Sequence, residues 1–308
     1  MMDTGRYDAK SSLKSAISAS LSPFRPLSTN PRSNSEETTM SDRYAKYDAF
    51  DIDYPAERVL RITFNNPKTY NSLDAKGHNQ ITYIWKDIDL DPDVDAVIVT
   101  GAGKAFSSGG DFGMIDANIN DETQRIQAWK EARDLVYGVI DCNKPIISAI
   151  NGVAVGAGLV VAMLADISIA GKSARIVDGH VRLGVPAGDH AVICWPLLCG
   201  MAKAKYLLML NEPVNGEDAE KYGLVSLCVE DDELETKSLE IATRLANGAP
   251  SAIRWTKYAL NNWYRMMGPT YDASTALEML AFAGSEVKEG LKSHLEKRTP
   301  EFPKGTPV

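Results

Sequence analysis

Two glycine-rich segments, residues 104–111 and 151–158, each follow a short run of β-branched and apolar residues. Such a run predicts a buried strand, and the glycines after it allow the backbone to turn sharply and approach a ligand closely. Because residues 159–164 have the composition of a buried helix, we expect the amide of Ala157 at a helix N-terminus, where the helix dipole favours negative charge. The two segments therefore predict an oxyanion hole, a pair of peptide N–H groups that stabilises an enolate or a tetrahedral oxyanion.

A histidine and an aspartate stand at the two ends of residues 180–189. Three residues between them favour turns and are expected to bring Asp189 back towards His180, namely Gly184, Pro186 and Gly188. A carboxylate that accepts a hydrogen bond from one imidazole nitrogen fixes the tautomer and raises the basicity of the other nitrogen. The segment therefore predicts a His–Asp dyad in which the histidine activates water.

Each candidate side chain also has a purely structural interpretation. His180 could be a core histidine that hydrogen-bonds to a backbone carbonyl group, and Asp189 could cap a helix that begins near residue 191. His78 could be exposed on a helix, and Glu278 could belong to the surface of an amphipathic helix instead of a pocket. His190 is expected to point away from Asp189 and is the weakest candidate.

The composition excludes several classes of protein. The chain has 308 residues, 44% of them hydrophobic, with a net charge of −8. We expect no nucleic-acid partner, which would need a basic surface, and no membrane partner, because no apolar run is long enough to span a bilayer. The four cysteines lack the spacing of metal sites or disulfide-rich domains, so we expect reduced thiols. A metal site of His78, His180 and Asp189 has no supporting sequence spacing, and we expect none.

Residues 1–40 differ in character from the rest of the chain. Positions 9–35 contain no acidic residue, serine is abundant, and basic residues are scattered among them, a composition that resembles a transit peptide. Because Asp3 and Asp8 open the segment and no cleavage signal is evident, we expect a disordered leader without chemistry, with Met40 as an alternative start. We therefore expect a cytoplasmic protein, or a mitochondrial one if residues 1–40 are a transit peptide.

The rest of the chain alternates short apolar strands with helices, which is typical of an α/β fold. Strands are predicted at residues 59–64, 96–100, 145–150, 166–170 and 224–229. Helices are predicted at residues 72–89, 121–141, 234–246, 252–266 and 273–287, with a mixed segment at residues 190–210 that Pro196 interrupts. Because only helices are predicted after about residue 232, we expect a helical tail that forms a lid or an oligomer interface.

From about residue 50 to residue 302 the chain resembles the crotonase (enoyl-CoA hydratase/isomerase) superfamily. The motifs that carry the resemblance are residues 66–73, 104–111 and 151–158, supported by residues 166–170, residues 215–225 and residues 289–298. The resemblance implies an α/β fold, a crotonase-type spiral of ββα units over residues 41–231, with a C-terminal all-helical trimerisation segment over residues 232–308. It also implies that the amides of Gly110 and Ala157 form the oxyanion hole, and that the protein is a homotrimer or a dimer of trimers.

The chain departs from the family pattern at the catalytic positions. In hydratases of this family two glutamates handle water and the α-proton, and the residues at those positions here are Val160 and His180. The stretch from His180 to Asp189 is similar to one in 6-oxocamphor hydrolase and related β-diketone hydrolases, where a histidine and an aspartate act together on the nucleophilic water. That likeness also implies an active-site role for His78, whereas a further histidine of those enzymes is replaced by Ala157. The same signature is found in proteins classed as enoyl-CoA hydratases without the two glutamates, so it does not select the substrate.

Three functions are compatible with these residues. The resemblance implies, first, an enzyme acting on an acyl-CoA or a similar carbonyl compound, with coenzyme A as part of the substrate and no separate cofactor. Its coenzyme A would then lie against Lys68, near the phosphates, and against the backbone of Ala105, Phe106 and Ser107, near the adenine. The second is retro-Claisen hydrolysis of a C–C bond in a cyclic β-diketone. The third is a non-catalytic acyl-CoA-binding relative, for which substitution of His180 would not change any rate.

Overall fold

The computed structural model describes residues 43–305, and the predicted leader at residues 1–40 lies outside that range. The strands are β1 (Phe50–Ala56), β2 (Val59–Phe64), β3 (Ala96–Gly101), β4 (Ala105–Ser107), β5 (Ile146–Ile150), β6 (Val153–Ala154), β7 (Ile167–Gly171), β8 (Arg175–Ile176), β9 (Val214–Asn215) and β10 (Leu227–Val229). The α-helices are α1 (Ala75–Leu90), α2 (Phe112–Asn120), α3 (Glu122–Asp141), α4 (Gly156–Leu164), α5 (His180–Leu183), α6 (Ala191–Cys199), α7 (Met201–Leu210), α8 (Gly216–Tyr222), α9 (Leu234–Ala246), α10 (Pro250–Met266), α11 (Gly268–Phe282) and α12 (Glu286–Leu295).

The larger of two sheets has six strands in the order β1-β2-β3-β5-β7-β10. β1 pairs with β2 in an antiparallel manner, and every other pair in this sheet is parallel. Alternate residues of a strand point to opposite faces. Val97 and Val99 accordingly belong to the main core, whereas Ala96 and Ile98 pack with Ala242 of α9. Because both faces of this sheet are covered at its centre, β3 and β5 are mostly apolar and buried, whereas β1 at the edge is partly exposed.

The smaller sheet has four strands in the order β4-β6-β8-β9. β3, β5 and β7 each lie in the larger sheet, the next strand along the chain lies in the smaller sheet, and a helix follows. This repetition is a spiral of ββα units, so the predicted α/β fold class is confirmed. In two of the units a glycine-rich turn joins the second strand to the helix. α2 begins just after the first turn, and α4 begins at Gly156 within the second.

Only helices follow β10 among the described residues. α9 covers one face of the larger sheet through Leu234 and Ala242, and Tyr271 of α11 reaches the main core. The prediction of a single helix over residues 273–287 is wrong, because the chain ends α11 at Phe282 and turns at Gly284 before α12. No helix within residues 43–305 is both long and apolar enough to cross a lipid bilayer.

Candidate active site

The two glycine-rich turns lie against each other. A Cβ atom added to Gly156 would be 2.9 Å from the Cα atom of Gly109 and 3.7 Å from the nitrogen of Gly110. Gly156 also has a φ of +54°, in the left-handed region that favours glycine. The N–H of Val155 donates to the carbonyl oxygen of Ser107 at 2.9 Å, which fixes the second turn to the strand that precedes the first. Glycine is therefore required where the two backbones approach most closely.

The N–H groups of Gly110 and Ala157 are free to bind a ligand. Leu73 bridges the first turn by donating to the Gly109 carbonyl group and accepting from the Asp111 N–H, and among the described residues no hydrogen bond uses the Gly110 N–H. Ala157 is the second residue of α4, and N–H groups in the first turn of a helix have no partner within that helix. Both residues line one cavity.

The cavity beside these amides has a volume of about 220 Å³. Apolar side chains form most of its wall, among them Phe112, Ile115, Leu135 and Phe282. The ionisable and amide side chains that line it are His78, Asn118, Asp178, His180, Asp189, Glu278 and His294. These residues are far apart in the sequence, so only the tertiary fold brings them to one place.

His180 is the first residue of α5 and is oriented by a carboxylate two residues earlier. Gly179, between them, has a φ of +87°, and this turn folds Asp178 back beside the imidazole ring. Nδ1 of His180 lies 2.9 Å from Oδ1 of Asp178. The Asp178 carboxylate thus accepts from Nδ1–H and leaves Nε2 for chemistry. Asp178 is not among the residues predicted from the sequence, although the spacing Asp178-Gly179-His180 is a signal for it.

Two further carboxyl groups face Nε2 of His180. Oδ2 of Asp189 lies 3.7 Å from this nitrogen, and Oε1 of Glu278 lies 3.6 Å from it. Both distances are longer than a direct hydrogen bond. The loop from His180 therefore brings Asp189 near the ring but not into hydrogen-bond contact with it, and the carboxylate that accepts from the ring is Asp178 instead of the predicted Asp189. Glu278 is only 6% exposed and belongs to the cavity, not to the helix surface.

The charges of this cluster shift one another's pKa values. Burial by itself lowers the pKa of His180, but the neighbouring carboxyl groups of Asp178, Asp189 and Glu278 raise it well above the usual 6.5. Burial raises the pKa of Asp189, but His190 and His180 lower it by a larger amount. The net pKa is below the usual value, so this carboxyl group stays ionised. Burial raises the pKa of Glu278, and although His180 lowers it, the net pKa stays raised. Glu278 is thus the member of the cluster most able to carry a proton as a neutral acid.

Asp189 also holds the start of α6. Its Oδ1 accepts from the His190 N–H at 2.6 Å and from the Ala191 N–H at 3.4 Å, and it lies 2.8 Å from Nδ1 of His190. The prediction that His190 points away from Asp189 is therefore wrong, because the carboxylate turns back to the helix start and holds the ring there. Oδ2 is the atom that faces His180, so Asp189 holds the helix start and faces the ring with different oxygens.

His78 reaches the cavity from α1 and is held by another carboxylate. Its Nδ1 lies 2.8 Å from Oε2 of Glu131 on α3, and Oε1 of Glu131 accepts from Asn79 at 2.9 Å and from Gln127 at 2.8 Å. Burial raises the pKa of Glu131, but these hydrogen bonds lower it to a net value of about 2, so the carboxylate is ionised. His78 is a buried cavity residue and not an exposed one. No signal in the sequence points to Glu131, which is 53 residues away.

The residues predicted to bind coenzyme A do not line this cavity. Lys68 is exposed in a short 3-10 turn, Pro67–Thr69. Ala105–Ser107 form β4 and are buried, and the carbonyl groups of Ala105 and Phe106 accept hydrogen bonds from the Asn71 amide. Contacts of these residues with coenzyme A stay predictions.

Val160 lies on the cavity wall, one turn of α4 beyond Ala157, and its side chain cannot transfer a proton.

Asp178, His180 and Asp189 offer one ligand atom each within 4.8 Å of one another, a spacing that a metal ion could use. The hydrogen bond from His180 to Asp178 brings those two residues together without an ion. The expectation of no metal stays a prediction.

Comparison with known proteins agrees with this arrangement. The profile of the enoyl-CoA hydratase/isomerase family matches residues 55–305. The chain is 30% identical to a probable enoyl-CoA hydratase of Mycobacterium leprae, over 83% of this chain and 98% of the relative. It is 33% identical to a short-chain-enoyl-CoA hydratase of Clostridium acetobutylicum, over 78% and 92%. An enoyl-CoA hydratase/isomerase from Mycobacterium paratuberculosis superposes with a TM-score of 0.76 at 27% identity, over 79% of this chain and 97% of the other. Fold, glycine-rich turns and sequence match together show that this chain belongs to the enoyl-CoA hydratase/isomerase family of enzymes.

Proposed function

We propose that the protein acts on an acyl-CoA whose thioester oxygen binds to the N–H groups of Gly110 and Ala157. The observation that supports this most strongly is that both amides lie in one cavity with the His180 cluster. Two N–H donors aimed at the same oxygen stabilise the negative charge of an enolate, which is the species formed when a nucleophile adds to an enoyl thioester or when an α-proton leaves.

The proton transfers fall to His180 and its carboxyl neighbours, since the position of the first family glutamate is occupied by Val160. In its neutral form His180 takes a proton from water at Nε2, while the water oxygen forms a bond to the β-carbon and the C=C electrons move to the thioester enolate. Glu278, as a neutral acid, gives its proton to the α-carbon, and the protonated His180 returns a proton to Glu278. The net result is addition of one water molecule. Asp178 and Asp189 stabilise the charged imidazolium during the step.

A second candidate is retro-Claisen hydrolysis of a cyclic β-diketone without coenzyme A. In that reaction His180 delivers water to one carbonyl carbon, the C–C bond to the α-carbon breaks, and the amides stabilise the leaving enolate. The observation that favours it is that His78, His180, Asp189 and Glu278 all line the cavity, whereas Lys68 does not. Acyl-CoA remains the first proposal because the family to which the chain belongs acts on such compounds.

A thermal-shift titration of the full chain separates these proposals. A ligand that binds only the folded state raises the melting temperature. We expect stabilisation by coenzyme A and by crotonyl-CoA, followed by hydration of crotonyl-CoA in an activity assay. Stabilisation by a cyclic 1,3-diketone alone would contradict the acyl-CoA proposal and support C–C bond hydrolysis.

A further inference from the structure

A second histidine–carboxylate pair in the cavity takes no part in the proposed proton transfers. It consists of His78 and Glu131, which are 7% and 8% exposed. Because the ionised Glu131 accepts from Nδ1–H, a neutral His78 has its lone pair on Nε2. No hydrogen bond among the described residues uses Nε2, and His78 lines the cavity. The cavity therefore contains a hydrogen-bond acceptor whose tautomer is fixed from behind.

Hydrogen bonds to Glu131 hold the His78–Glu131 pair in one orientation. Both oxygens of Glu131 are occupied, Oε2 by His78 and Oε1 by Asn79 and Gln127. Gln127 and Glu131 lie one turn apart on α3, while Asn79 follows His78 on α1, so the two helices are tied together at this point. A side chain that serves only to fill space would not need an ionised, fully hydrogen-bonded carboxylate behind it.

A second polar group without a partner lies in the same cavity. Asn118 is 6% exposed, its side-chain amide lines the cavity, and none of the hydrogen bonds among the described residues uses that amide. Apart from Glu278 of the His180 cluster, the other lining side chains contributed by α2, α3 and α11 are apolar and include Met114, Ile115, Leu135, Met279 and Phe282. A purely hydrocarbon acyl chain would bury both polar groups without partners, which is costly.

We propose that the acyl group of the substrate carries a hydroxyl group, which donates to Nε2 of His78. A hydroxyl group matches a lone-pair acceptor, whereas a carbonyl or ether oxygen does not. The Asn118 amide can serve the same oxygen as a donor or hold a second polar atom of the chain. The inference rests on the proposed acyl-CoA function and adds the class of acyl group.

The test compares matched ligands by calorimetry. Hexanoyl-CoA is compared with its 4- and 5-hydroxy derivatives; the 3-hydroxy compound is left out because it has the hydroxyl group that the proposed hydration itself adds. We expect at least one of the two hydroxylated compounds to bind about tenfold more tightly than hexanoyl-CoA, because it satisfies the buried acceptor. Equal binding of all three compounds would overturn the inference and leave the acyl-CoA function intact, whereas failure of all three to bind would contradict the acyl-CoA function itself.

Substitutions of His78 and Glu131 test whether these residues cause the preference for hydroxylated compounds. His78→Leu should abolish the preference for a hydroxylated compound over hexanoyl-CoA, and Glu131→Gln should weaken that preference. Asp134→Asn is the matched control, since it makes the same carboxylate-to-amide change on α3, where Asp134 pairs with Lys130 outside the cavity. A preference that survives in His78→Leu would overturn the assignment to His78.

A readout without ligand guards against loss of folding in these variants. The ¹⁵N chemical shifts of the His78 ring distinguish its two neutral tautomers. We expect the Nδ1–H tautomer in the wild-type protein and in Asp134→Asn, and a mixture of tautomers in Glu131→Gln. An Nε2–H tautomer in the wild-type protein would overturn the inference, because the cavity would then contain a donor instead of an acceptor.

Discussion

At the residue scale, the proposed chemistry depends on one imidazole ring. His180 has a carboxylate hydrogen-bonded to Nδ1 and two carboxyl groups facing Nε2, at 3.7 and 3.6 Å. One ring can therefore accept a proton on the cavity side while its charge is balanced from both sides. If this arrangement takes over the proton transfers that the family resemblance assigns to two glutamates, the ring itself must take part in the reaction.

Removal of the ring or of its cavity-side carboxylate tests that role. We expect His180→Ala and Asp189→Asn each to lower kcat by about 10²-fold or more, the usual contribution of a positioned acid or base. Asp272→Asn is the control, since Asp272 lies on α11 with its side chain 45% exposed and paired with Arg133. Circular dichroism melts should show cooperative unfolding for all three variants. Unchanged turnover in both cluster variants would instead favour a non-catalytic acyl-CoA-binding protein.

The pH dependence follows from the raised pKa of His180. The proposed base is the neutral ring and the proposed acid is protonated Glu278. The value of kcat/KM should therefore rise with pH, with a midpoint above the usual histidine value of 6.5, and fall again as Glu278, whose pKa is raised to about 8, becomes ionised. Asp178→Asn removes a charge that raises the pKa of His180, and the midpoint of the rising limb should move to lower pH while the maximum of kcat/KM falls. A pH–rate profile of the wild-type protein, this variant and Asp272→Asn checks the shift. A midpoint that does not move in Asp178→Asn would mean that the rising limb reports another group.

The sequence predicts the residues of the candidate site better than it predicts the side chains that hydrogen-bond to them. His180, Asp189, Gly110 and Ala157 come from segments whose residue types and local spacing already indicate chemistry, and the structure brings all four to one cavity. Glu131 was not foreseen, because its contact with His78 depends on how two helices pack. Long-range packing leaves no local pattern, and this is the physical limit of the sequence analysis here.

At the element scale, local chemistry sets the strands and tertiary packing sets the helix ends. β2, β3, β5 and β7 lie within one residue of the predicted strands at each end, because buried parallel strands are short apolar runs. The break predicted at Pro196 falls instead at Gly200, where φ is +78°. Pro196 lies inside α6, so its ring is accommodated within that helix. A proline in the sequence favours the end of a helix, but here the helix ends at a glycine with positive φ.

The placement of His180 also depends on a close helix contact. A Cβ atom on Gly290 of α12 would lie 1.9 Å from the carbonyl oxygen of Leu183, at the end of α5. Gly290→Ala should therefore push α5 and its His180 away from the carboxyl cluster. We expect a loss of about 1–3 kcal/mol in the free energy of unfolding, measured by urea denaturation, together with a lower kcat in the folded protein.

Gly113→Ala provides the matched control for that helix contact. The added methyl group would meet only the Asp111 carboxylate, at 3.4 Å, which is an ordinary contact. Its free energy of unfolding should not fall, because alanine is a better helix former than glycine. If Gly290→Ala unfolded at the same urea concentration as the wild-type protein and kept its kcat, α12 would not be what holds α5 in place.

At the scale of the whole molecule, one helix of the C-terminal tail exposes apolar side chains. The large apolar residues of α10 that are more than half exposed are Trp255, Tyr258, Leu260, Trp263 and Met266. Solvated apolar groups at this density mark an interface between protein chains. We propose that copies of this chain bind through this helix as a homotrimer or a dimer of trimers.

Light scattering on the full chain tests that assembly. We expect a mass of three or six times the 33.6 kDa of one chain, and Trp263→Glu should shift it towards smaller species, because a charge buried against an apolar partner is costly. Lys288→Glu, an exposed substitution on α12, is the control and should leave the mass unchanged. Because Trp263 does not line the cavity, a dissociated but folded variant should still bind ligand there unless the assembly completes the site. A wild-type mass of a single chain would contradict the proposed interface and require the apolar face of α10 to have another partner.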